Sequence, residues 1–589
     1  MAGFHLDQRL LRKFFKKDAS ELKSVLLACK GSFFSAWFFS LFINILMLTP
    51  TIYMLQIYDR VLQSRSVETL VMITIITVAM FFVMGGLQFV QSMVFIRVGS
   101  RLDNMLNRRI FHAVFKRSLV QPGFEAGQPI SDLTALRQFL TGSGLIAFFD
   151  IPWVPIYLIV LFWMHPVLGI FAVVTAIVLF ALAFANEYFT KKPLAEANKQ
   201  AIISRNYADK NLRNADVIHA MGMEESLLAR WLKQHLLFLS LQSTASERAA
   251  VLHNLSRVMR IMSQSLILGL GCYLAVKLEV SPGMMIAGSI IMGRALAPVD
   301  QLIASWKGFA AARSAYERLS ELLDAVPATE QFMSLPAPKG HVSVEGVMSG
   351  PPGTQTAVLR GITFQVEPGE VVAVIGPSAA GKSTLAKVLL GIWPCMAGTV
   401  RLDGANIAQL NRDEIGSYIG YLPQDIELFD GTVAENIARF GPVVPEKVVE
   451  AAKRAGIHEM VLRLPKGYDT PIGPGGSVLS AGQRQRVALA RAFYGDPVLI
   501  VLDEPNSNLD DQGEWALAMG VRTMKDLGIT MFLITHRPGI LAQVDKILLM
   551  RDGQVLLYGP RDAVLAKLAG QPAQQPAQAA QAPAAPVKH

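Results

Sequence analysis

The clearest chemistry in this chain lies in one glycine-rich segment of its second half. An apolar run, Val371–Ile375, leads into the segment, and residues that favour a helix follow it. A G-x-x-x-x-G-K-S pattern between a strand and a helix is typical of a loop whose backbone N–H groups surround phosphate oxygens. The helix N-terminus adds a positive dipole end. The predicted phosphate-binding residues are Gly376, Pro377, Ser378, Ala379, Ala380, Gly381, Lys382, Ser383 and Thr384.

Further polar residues follow this loop in a fixed order. Several of them stand directly after strand-like apolar runs such as Ile419–Pro423, Val498–Leu502 and Thr530–Ile534. Each feature alone is weak, because a glutamine after a strand or a histidine before an arginine is usually a solvated surface residue. The ordered set, which predicts a single site, is Gln424, Ser480, Ala481, Gly482, Gln483, Asp503, Glu504, Ser507, Asp510 and His536.

The ordered set resembles the ATPase domain of ABC transporters over residues 340–565. The resemblance implies a Q-loop at Gln424, a signature at residues 480–483, a Walker B pair at Asp503 and Glu504, a D-loop with Ser507 and Asp510, and an H-loop at His536. It also implies that the signature residues contact ATP bound to the opposite subunit. Because the chain has one phosphate loop and one signature, the resemblance implies a homodimer with two composite ATP sites.

Phosphoryl transfer depends mainly on positioning and charge stabilisation. Lys382 is expected to reach the β- and γ-phosphates of ATP. Ser383, Gln424 and Asp503 are expected to hold Mg²⁺, because oxygen ligands suit a hard cation. The expected catalytic residues are Glu504, His536 and Gln424, with Glu504 as general base or water-positioning residue; the alternative for Glu504 is a simple strand-end carboxylate. His536 would contact the γ-phosphate and the attacking water.

Three positions depart from the pattern of the resembled family. The signature has Ala481 where glycine is usual, and we expect the added methyl group to be tolerated. The aromatic residue that stacks on adenine in many relatives is expected near Val347–Ser349, where none stands, and Met348 offers a softer contact. Many exporters also have glutamate at the position of Pro474 in the loop before the signature.

Composition indicates a membrane protein. The chain has 589 residues, of which 52% are hydrophobic, and a net charge of +9. It has no basic stripe with interleaved aromatic residues, so we expect no nucleic-acid partner. The three cysteines are far apart and predict neither a disulfide framework nor a Cys/His metal site.

Six apolar segments are long enough to span a bilayer, for which about 20 residues are needed. They cover residues 32–57, 68–96, 143–164, 167–188, 255–277 and 282–305. The alternative, buried helices of a soluble protein, fits poorly with segments that are this long and uncharged. The predicted fold class is therefore a membrane all-α six-helix ABC exporter domain followed by an α/β P-loop NTPase domain.

Basic residues set the expected orientation. With six spans, all of the following lie on the side of the ATPase domain: Arg9, Arg12, Lys13, Lys16, Lys17, Lys23, Lys30, Arg97, Arg101, Arg108, Arg109, Lys191, Lys192 and Lys307. We expect a multi-pass protein of the bacterial inner membrane with cytoplasmic N- and C-termini, in contact with membrane lipid.

The domain boundaries follow from these patterns. We expect an amphipathic N-terminal segment at 1–31, a transmembrane domain with cytoplasmic helical extensions at 32–324, and a proline-containing linker at 325–345 that overlaps the start of the ATPase domain at 340–565. Residues 570–589 form an Ala/Gln/Pro-rich tail, whose composition predicts disorder.

Three phrases narrow the resemblance. The segments Phe149–Tyr157, Asn214–Met223 and Asp503–Asp510 resemble the inner-membrane ATPases of type I secretion systems, and most closely their protease/lipase exporter branch. This resemblance implies ATP-driven export of an unfolded polypeptide with an uncleaved C-terminal signal. It also implies a periplasmic membrane-fusion adaptor and an outer-membrane channel as partners. The alternative is an ABC exporter of lipid or small amphipathic molecules, which would share every ATPase residue.

Two ionisable residues fall inside predicted spans, Asp150 beside Pro152 in the third and Arg294 in the sixth. Such groups usually face the bundle interior or water. The functional interpretation is that Asp150 and Arg294 line the translocation path. The structural alternative is that Asp150 caps backbone freed by Pro152 and that Arg294 pairs with a carboxylate.

Overall fold

The structure is a computed structural model that describes residues 21–121, 123–328, 336–535 and 537–569. These residues fall into two compact units, one with residues 21–117 and 125–328 and one with residues 118–124 and 336–569. Outside the described residues lie most of the predicted amphipathic segment, residues 329–335 of the predicted linker, His536 and the predicted tail.

The described part of the first unit is helical. Its main helices are α1 (Glu21–Ala28), α2 (Lys30–Leu46), α3 (Thr49–Gln56), α4 (Val67–Val120), α5 (Gly127–Thr141), α6 (Ser143–Asp150), α7 (Val154–Met164), α8 (Pro166–Leu212), α9 (Ala215–Ala220), α10 (Glu224–Val276) and α11 (Pro282–Ala325). A π-helical turn, Ile57–Val61, continues α3.

Six helical stretches of the described chain are long and apolar enough to cross a membrane. They are Lys30–Ser64, Val67–Val120, Gly144–Met164, Pro166–Leu212, Glu224–Val276 and Pro282–Ala325. Each predicted span overlaps one of them, so the prediction of six spans is confirmed. At about 1.5 Å per residue, α8 is about 70 Å long, more than twice the hydrocarbon thickness of about 30 Å. Helices of this length extend well beyond a bilayer.

Proline explains one interruption of a span. Pro152 has no backbone N–H, and its ring disfavours a continuous α-helix. The third span accordingly divides into α6 and α7, with a 3₁₀ turn at Ile151–Trp153 between them. The kink directly follows Asp150, the last residue of α6.

The six spans form three helical hairpins, and the turn between the fifth and sixth spans contacts the turns of the other two hairpins through polar side chains. Asp59, in the π-helical turn, accepts hydrogen bonds from the backbone N–H of Gly283 at 2.9 Å and from the Ser281 hydroxyl. Ser281 also caps the N-terminus of α11. His165 Nε2 lies 3.2 Å from a carboxylate oxygen of Glu279. Residues 279–283 therefore bring together the ends of all three helical hairpins.

The second unit contains two sheets among its described residues. The strands are β1 (Val342–Ser349), β2 (Leu359–Val366), β3 (Val371–Ile375), β4 (Ala397–Leu402), β5 (Ala405–Asn406), β6 (Ile419–Leu422), β7 (Leu499–Asp503), β8 (Thr530–Ile534), β9 (Lys546–Arg551) and β10 (Gln554–Pro560). The antiparallel sheet has the order β2-β1-β4-β5, and the other sheet has the order β10-β9-β3-β8-β7-β6.

Helices connect and cover these strands. They are α12 (Lys382–Leu389), α13 (Arg412–Ile415), α14 (Val433–Ile437), α15 (Pro445–Arg454), α16 (His458–Leu462), α17 (Ala481–Phe493), α18 (Asp511–Asp526), α19 (Pro538–Leu541) and α20 (Arg561–Ala569). The parallel strands β3, β8 and β7 lie side by side and are almost wholly buried. Their carboxyl ends meet at one edge, where ligands of open α/β sheets bind. This confirms the predicted fold class.

The tie at Gly283 generates a stability prediction. A Cβ added there would lie 2.5 Å from an Asp59 carboxylate oxygen, so alanine must displace a carboxylate that accepts two hydrogen bonds. We expect Gly283→Ala to lower the free energy of unfolding by about 1–3 kcal/mol. The measurement is the thermal midpoint of the detergent-solubilised protein.

Gly269→Ala is the matched control, because a Cβ at that α10 position meets nothing within 4 Å. Its midpoint should be unchanged or slightly raised. Equal midpoints for the two variants would show that the Asp59 tie contributes nothing to stability.

Candidate functional site: a phosphate-binding loop beside a buried carboxylate

Backbone shape makes the phosphate loop. Gly376, Ala379 and Gly381 all have positive φ angles, of 152°, 65° and 95°. A Cβ at Gly376 would lie 2.2 Å from the carbonyl oxygen of Met550, so only glycine fits where β3 ends. Pro377, Ser378 and Ala379 are exposed, while Ala380 is buried. The loop thus presents exposed backbone on one side and packs tightly on the other.

Lys382, the first residue of α12, turns back over this loop. Its Nζ donates hydrogen bonds to the carbonyl oxygens of Gly376 at 2.9 Å and Pro377 at 3.0 Å. The residue is only 7% exposed. Burial lowers the pKa of Lys382, and the nearby carboxylates of Glu504 and Asp503 partly oppose that shift. A partly desolvated ammonium group in the loop is suited to an anionic ligand.

Asp503 ends β7 and is 2% exposed. Its Oδ1 has no hydrogen-bond partner among the described residues. Burial raises the pKa of Asp503, while the Ser383 hydroxyl and the ammonium groups of Lys387 and Lys382 oppose the shift. An orphan carboxylate oxygen close to a hydroxyl is a donor set that fits Mg²⁺. Asp503 and Ser383 would hold the ion together with Gln424, the third predicted ligand.

Glu504 has a strained backbone. Its φ of 50° is rare for a residue with a side chain, at a cost on the order of 1–3 kcal/mol. Its N–H donates to the carbonyl oxygen of Ile534 at 3.0 Å, and this bond holds the backbone after β7 against the end of β8. Its Oε2 accepts a hydrogen bond from Gln424 Nε2 at 3.2 Å. With Gln424 bonded through its nitrogen, the amide oxygen is left for a cation or water.

The signature segment forms the N-terminus of α17. Ser480 and Gln483 make a reciprocal capping box, with distances of 2.9 and 3.3 Å. A Cβ at Gly482 would lie 2.8 Å from the carbonyl oxygen of Asn508, so glycine is required there. Ala481 is exposed, so its methyl group is not confined by neighbouring atoms as a side chain at Gly482 would be. The substitution of alanine in the signature is therefore compatible with the fold.

A cavity of about 300 Å³ joins the predicted glutamine loop to the signature. Its lining includes Gln424, Glu427, Ala481, Arg484 and Asn508. Among the described residues, no hydrogen bond links the signature residues 480–483 to the phosphate loop. Within one chain the predicted phosphate loop, the predicted cation ligands and Glu504 therefore lie together, and the signature meets this group at the cavity beside Gln424 rather than at the phosphate loop.

Gln485 is a site residue that the sequence did not single out. It is 1% exposed, and its Nε2 donates to the carbonyl oxygens of Glu504 and Pro505, while its Oε1 accepts from Asn508 N–H at 3.0 Å. One side chain thus fixes the backbone between Glu504 and the D-loop. The only available signal was its position two residues after the signature.

The remaining predicted residues of this unit occupy varied places. Ser507 is exposed, and its hydroxyl lies 3.5 Å from Gln485 Nε2. Asp510 caps α18 through Gly513 N–H at 2.9 Å. Thr384 is half-buried in α12. His536 lies outside the described residues, and its role stays a prediction. The buried Thr535 before it donates to Asn506 Oδ1 at 3.3 Å.

The base-binding side has no ring in the expected place. Val347 and Ser349 are buried, whereas Met348 is 39% exposed. The exposed Met396 lies beside it, since its N–H donates to the carbonyl oxygen of Met348 at 2.7 Å. Ser349 pairs with Leu359, which approaches Gly381 of the phosphate loop. Two exposed methionines are thus neighbours at the segment where an aromatic residue is usual in the family.

The two ionisable residues of the predicted path have different surroundings. Asp150 Oδ1 accepts hydrogen bonds from Ser40 Oγ at 2.6 Å and from Asn44 Nδ2 at 2.9 Å. Ser40 and Asn44 are buried in α2. Arg294 is exposed in the single chain and forms no ion pair with a described residue. The carboxylate that pairs in this region is Asp300, with Arg260.

Comparison with known proteins connects this geometry to a family. The chain matches the ABC transporter transmembrane region over residues 33–296 and the ABC transporter family over residues 359–507. It is 42% identical to the type I secretion system ATP-binding protein PrsD of Rhizobium meliloti (strain 1021), over 92% of this chain and 93% of that protein.

Two less similar relatives are also ATP-binding proteins named for translocation, and one solved structure has the same fold. The leukotoxin translocation ATP-binding protein LktB of Mannheimia haemolytica is 29% identical over 89% of this chain and 75% of its own length. The toxin RTX-I translocation ATP-binding protein of Actinobacillus pleuropneumoniae is 27% identical over 95% and 80%. A bacterial Atm1-family ABC exporter with ATP bound has a TM-score of 0.77 at 22% identity, covering 92% of this chain and 99% of that chain, which shows the fold.

The position of Glu504 predicts a loss of turnover without a loss of binding. Glu504→Gln keeps the shape and the contact with Gln424 but removes the base, so we expect ATP hydrolysis to fall by about 100-fold or more. ATP affinity should remain near wild type, as measured by equilibrium nucleotide binding. Near-normal hydrolysis in this variant would leave Glu504 as an ordinary strand-end carboxylate.

The methionine pair predicts loose base selectivity. Without a stacking ring, a contribution of about 1–3 kcal/mol per base is absent, so GTP should support hydrolysis within about tenfold of ATP. Steady-state rates with both nucleotides test this. Met348→Tyr, which installs a ring, should lower the KM for ATP. A wild-type preference for ATP far beyond tenfold would mean that another side chain reads the base.

Proposed function

The chain belongs to the ABC transporters and, within them, to the ATP-binding proteins of type I secretion systems, and from this membership we propose that its cargo is an unfolded polypeptide with an uncleaved C-terminal signal. It is a multi-pass membrane protein that couples ATP hydrolysis to transport. The nature of the cargo, the assignment to the protease/lipase exporter branch and the roles below are the proposal.

One observation carries the choice of a polypeptide cargo. The similarity to the type I secretion protein PrsD extends over 92% of the chain and therefore covers both units. An ATPase unit alone would be shared with exporters of any cargo. The relatives named for translocating toxins likewise match over 89% and 95% of the chain. A membrane domain common to these proteins favours polypeptide export over export of lipid or small amphipathic molecules.

We assign different roles in ATP hydrolysis to the residues of the site. Lys382 and the backbone of residues 376–383 would hold the phosphates, and Ser383, Asp503 and Gln424 would hold Mg²⁺, which would supply neutralisation of phosphate charge. Glu504, held in its strained conformation by Ile534 and Gln424, orients a water molecule and accepts its proton. His536, which lies outside the described residues, is proposed from the family resemblance alone to contact the γ-phosphate.

The separation of signature and phosphate loop supports a homodimer. In the single chain, the signature faces a cavity next to Gln424, and the D-loop residues Ser507 and Asp510 are exposed. A second copy would bring residues 480–483 against the nucleotide of the first. Two composite sites would then form, each with residues from both subunits.

The orientation proposal rests on charge. Basic residues flank the predicted spans on one side, and the positive-inside rule favours a cytoplasmic location for that side, with the ATPase domain and both termini. The hairpin tips that meet at residues 279–283 would then face the periplasm. A membrane-fusion adaptor would join the exporter there, and an outer-membrane channel would continue the route. Arg294, exposed and without an ion-pair partner in the described chain, would line the path through the membrane.

Reconstitution tests the cargo directly. We expect a secreted polypeptide encoded near this chain's gene to raise ATP hydrolysis by the protein in proteoliposomes, and its truncation without the C-terminal segment to have no such effect. Export into the medium by cells with the adaptor and channel should depend on the same segment. Glu504→Gln is the control for both readouts.

Two outcomes would contradict polypeptide export. The first is stimulation by phospholipid or a small amphipathic molecule together with no response to any such polypeptide, which would identify the alternative cargo. The second is export that continues unchanged in the Glu504→Gln background, which would separate transport from this ATP site.

A further inference from the structure

A groove of mixed aromatic and basic character lies between α8 and α10 in the first unit. It has a volume of about 700 Å³. Its lining residues are Phe184, Glu187, Tyr188, Phe189, Lys191, Lys192, Pro193 and Arg248. The phosphate chemistry of the second unit makes no use of this groove.

The distance of the groove from the ends of α8 and α10 indicates that it lies at a membrane surface. At about 1.5 Å per residue, Lys191 lies about 38 Å from Pro166 at the start of α8, and Arg248 lies about 42 Å from Val276 at the end of α10. A bilayer has a hydrocarbon core of about 30 Å and a total thickness of about 40–45 Å with its headgroup layers. With the membrane taken to begin at Pro166 and Val276, Lys191 and Arg248 lie beyond the hydrocarbon core, at headgroup depth.

The two helices are joined at this level. Arg248 donates a hydrogen bond to the carbonyl oxygen of Phe189 at 3.5 Å. This contact places its guanidinium group beside the lysines of α8. The charge of the lining is three cations against the single carboxylate of Glu187. Among the described residues, Lys191, Lys192 and Arg248 form no ion pair, so their charge is available to a ligand.

The aromatic side chains occupy the adjoining level, nearer the membrane core than the cations. Phe184 and Tyr188 are 70% and 79% exposed, and Phe189 is 49% exposed. Tyr188 and Phe189 pack edge to face, with ring centroids 5.3 Å apart. Tyrosine is enriched at this boundary because its ring contacts hydrocarbon while its hydroxyl stays near water, and the two phenylalanine rings add apolar surface beside it. The groove is thus apolar toward the membrane core and cationic at the headgroups.

From this arrangement we propose that the groove binds the headgroup phosphate of an anionic phospholipid, such as phosphatidylglycerol. Lys191, Lys192 and Arg248 contact the phosphate, and Phe184 and Tyr188 contact the first part of the acyl chains. Charge complementarity favours an anionic lipid over a neutral one. The apolar face favours a lipid over a free phosphate, which has nothing to place against three aromatic rings. The leaflet follows from the proposed orientation and is the cytoplasmic one.

The test uses photocrosslinking in a defined membrane. The full-length protein is placed in nanodiscs of phosphatidylcholine with a small fraction of phosphatidylglycerol that carries a diazirine in one acyl chain. After illumination, peptide mapping locates the adducts. Labelling is expected within residues 184–193 or beside Arg248. Unlabelled phosphatidylglycerol should suppress it, whereas added phosphatidylcholine or inorganic phosphate should not.

Matched variants test the charge. The triple variant K191Q/K192Q/R248Q should lower labelling at least about tenfold, given the attraction between several basic residues and anionic lipid. The control K199Q/K210Q/R230Q removes the same charge from exposed positions of the same two helices, farther from the membrane, and should label like wild type. Size-exclusion profiles and ATPase rates confirm that both variants are folded.

Several results would overturn the proposal. They are equal labelling of the two triple variants, equal suppression by phosphatidylcholine, and suppression by inorganic phosphate, which would make the ligand a soluble anion. Because labelling is measured without ATP or cargo, failure here leaves polypeptide export untouched. Failure of export in turn leaves the labelling result intact.

Discussion

Asp503 ends a strand that is buried on both faces, so a carboxylate oxygen is withheld from water without a hydrogen bond from any described residue. Leaving a buried acceptor unsatisfied costs about 1–3 kcal/mol, and more when it is charged. Lys382 is also desolvated, and the hydrogen bonds of its ammonium group in the described chain go to carbonyl oxygens of its own loop. Lys382 and Asp503 thus lie near each other without forming an ion pair among the described residues, and Mg²⁺ with a polyphosphate would satisfy both.

The rest of the ATPase unit keeps these groups in place. Parallel pairing of β3, β8 and β7 brings the phosphate loop and Asp503 to the same sheet edge. Gln485 bonds the backbone after Glu504 and so ties the signature helix to the D-loop. In the membrane unit, the ties at residues 279–283 hold the three hairpin tips together.

Spacing in the sequence predicted the phosphate loop, the Walker B pair and the six spans, because each depends on neighbours in the chain. Gln485 could not be found in this way, since its partners lie about one helix and one strand later and no local pattern marks them. The hydrogen bond between Asp59 and Gly283 joins two residues that are 224 positions apart in the sequence, so no local pattern could predict it. The surroundings of Asp150 were also unpredictable: its partners are Ser40 and Asn44 of the first span, whereas Pro152 suggested a local cap.

The most direct test of the central claim, that Asp503 is a cation ligand left unsatisfied until nucleotide binds, is the binding of Mn²⁺ as a substitute for Mg²⁺. Electron paramagnetic resonance titration with protein, at one fixed ATP concentration, measures the affinity of the protein for the Mn²⁺–ATP complex, because ATP itself binds the ion. The account predicts tight binding by the wild type and a loss of about 10–100-fold in Asp503→Asn, as is typical when a group that holds or orients a metal is removed. Equal Mn²⁺ affinity in the two proteins would contradict it.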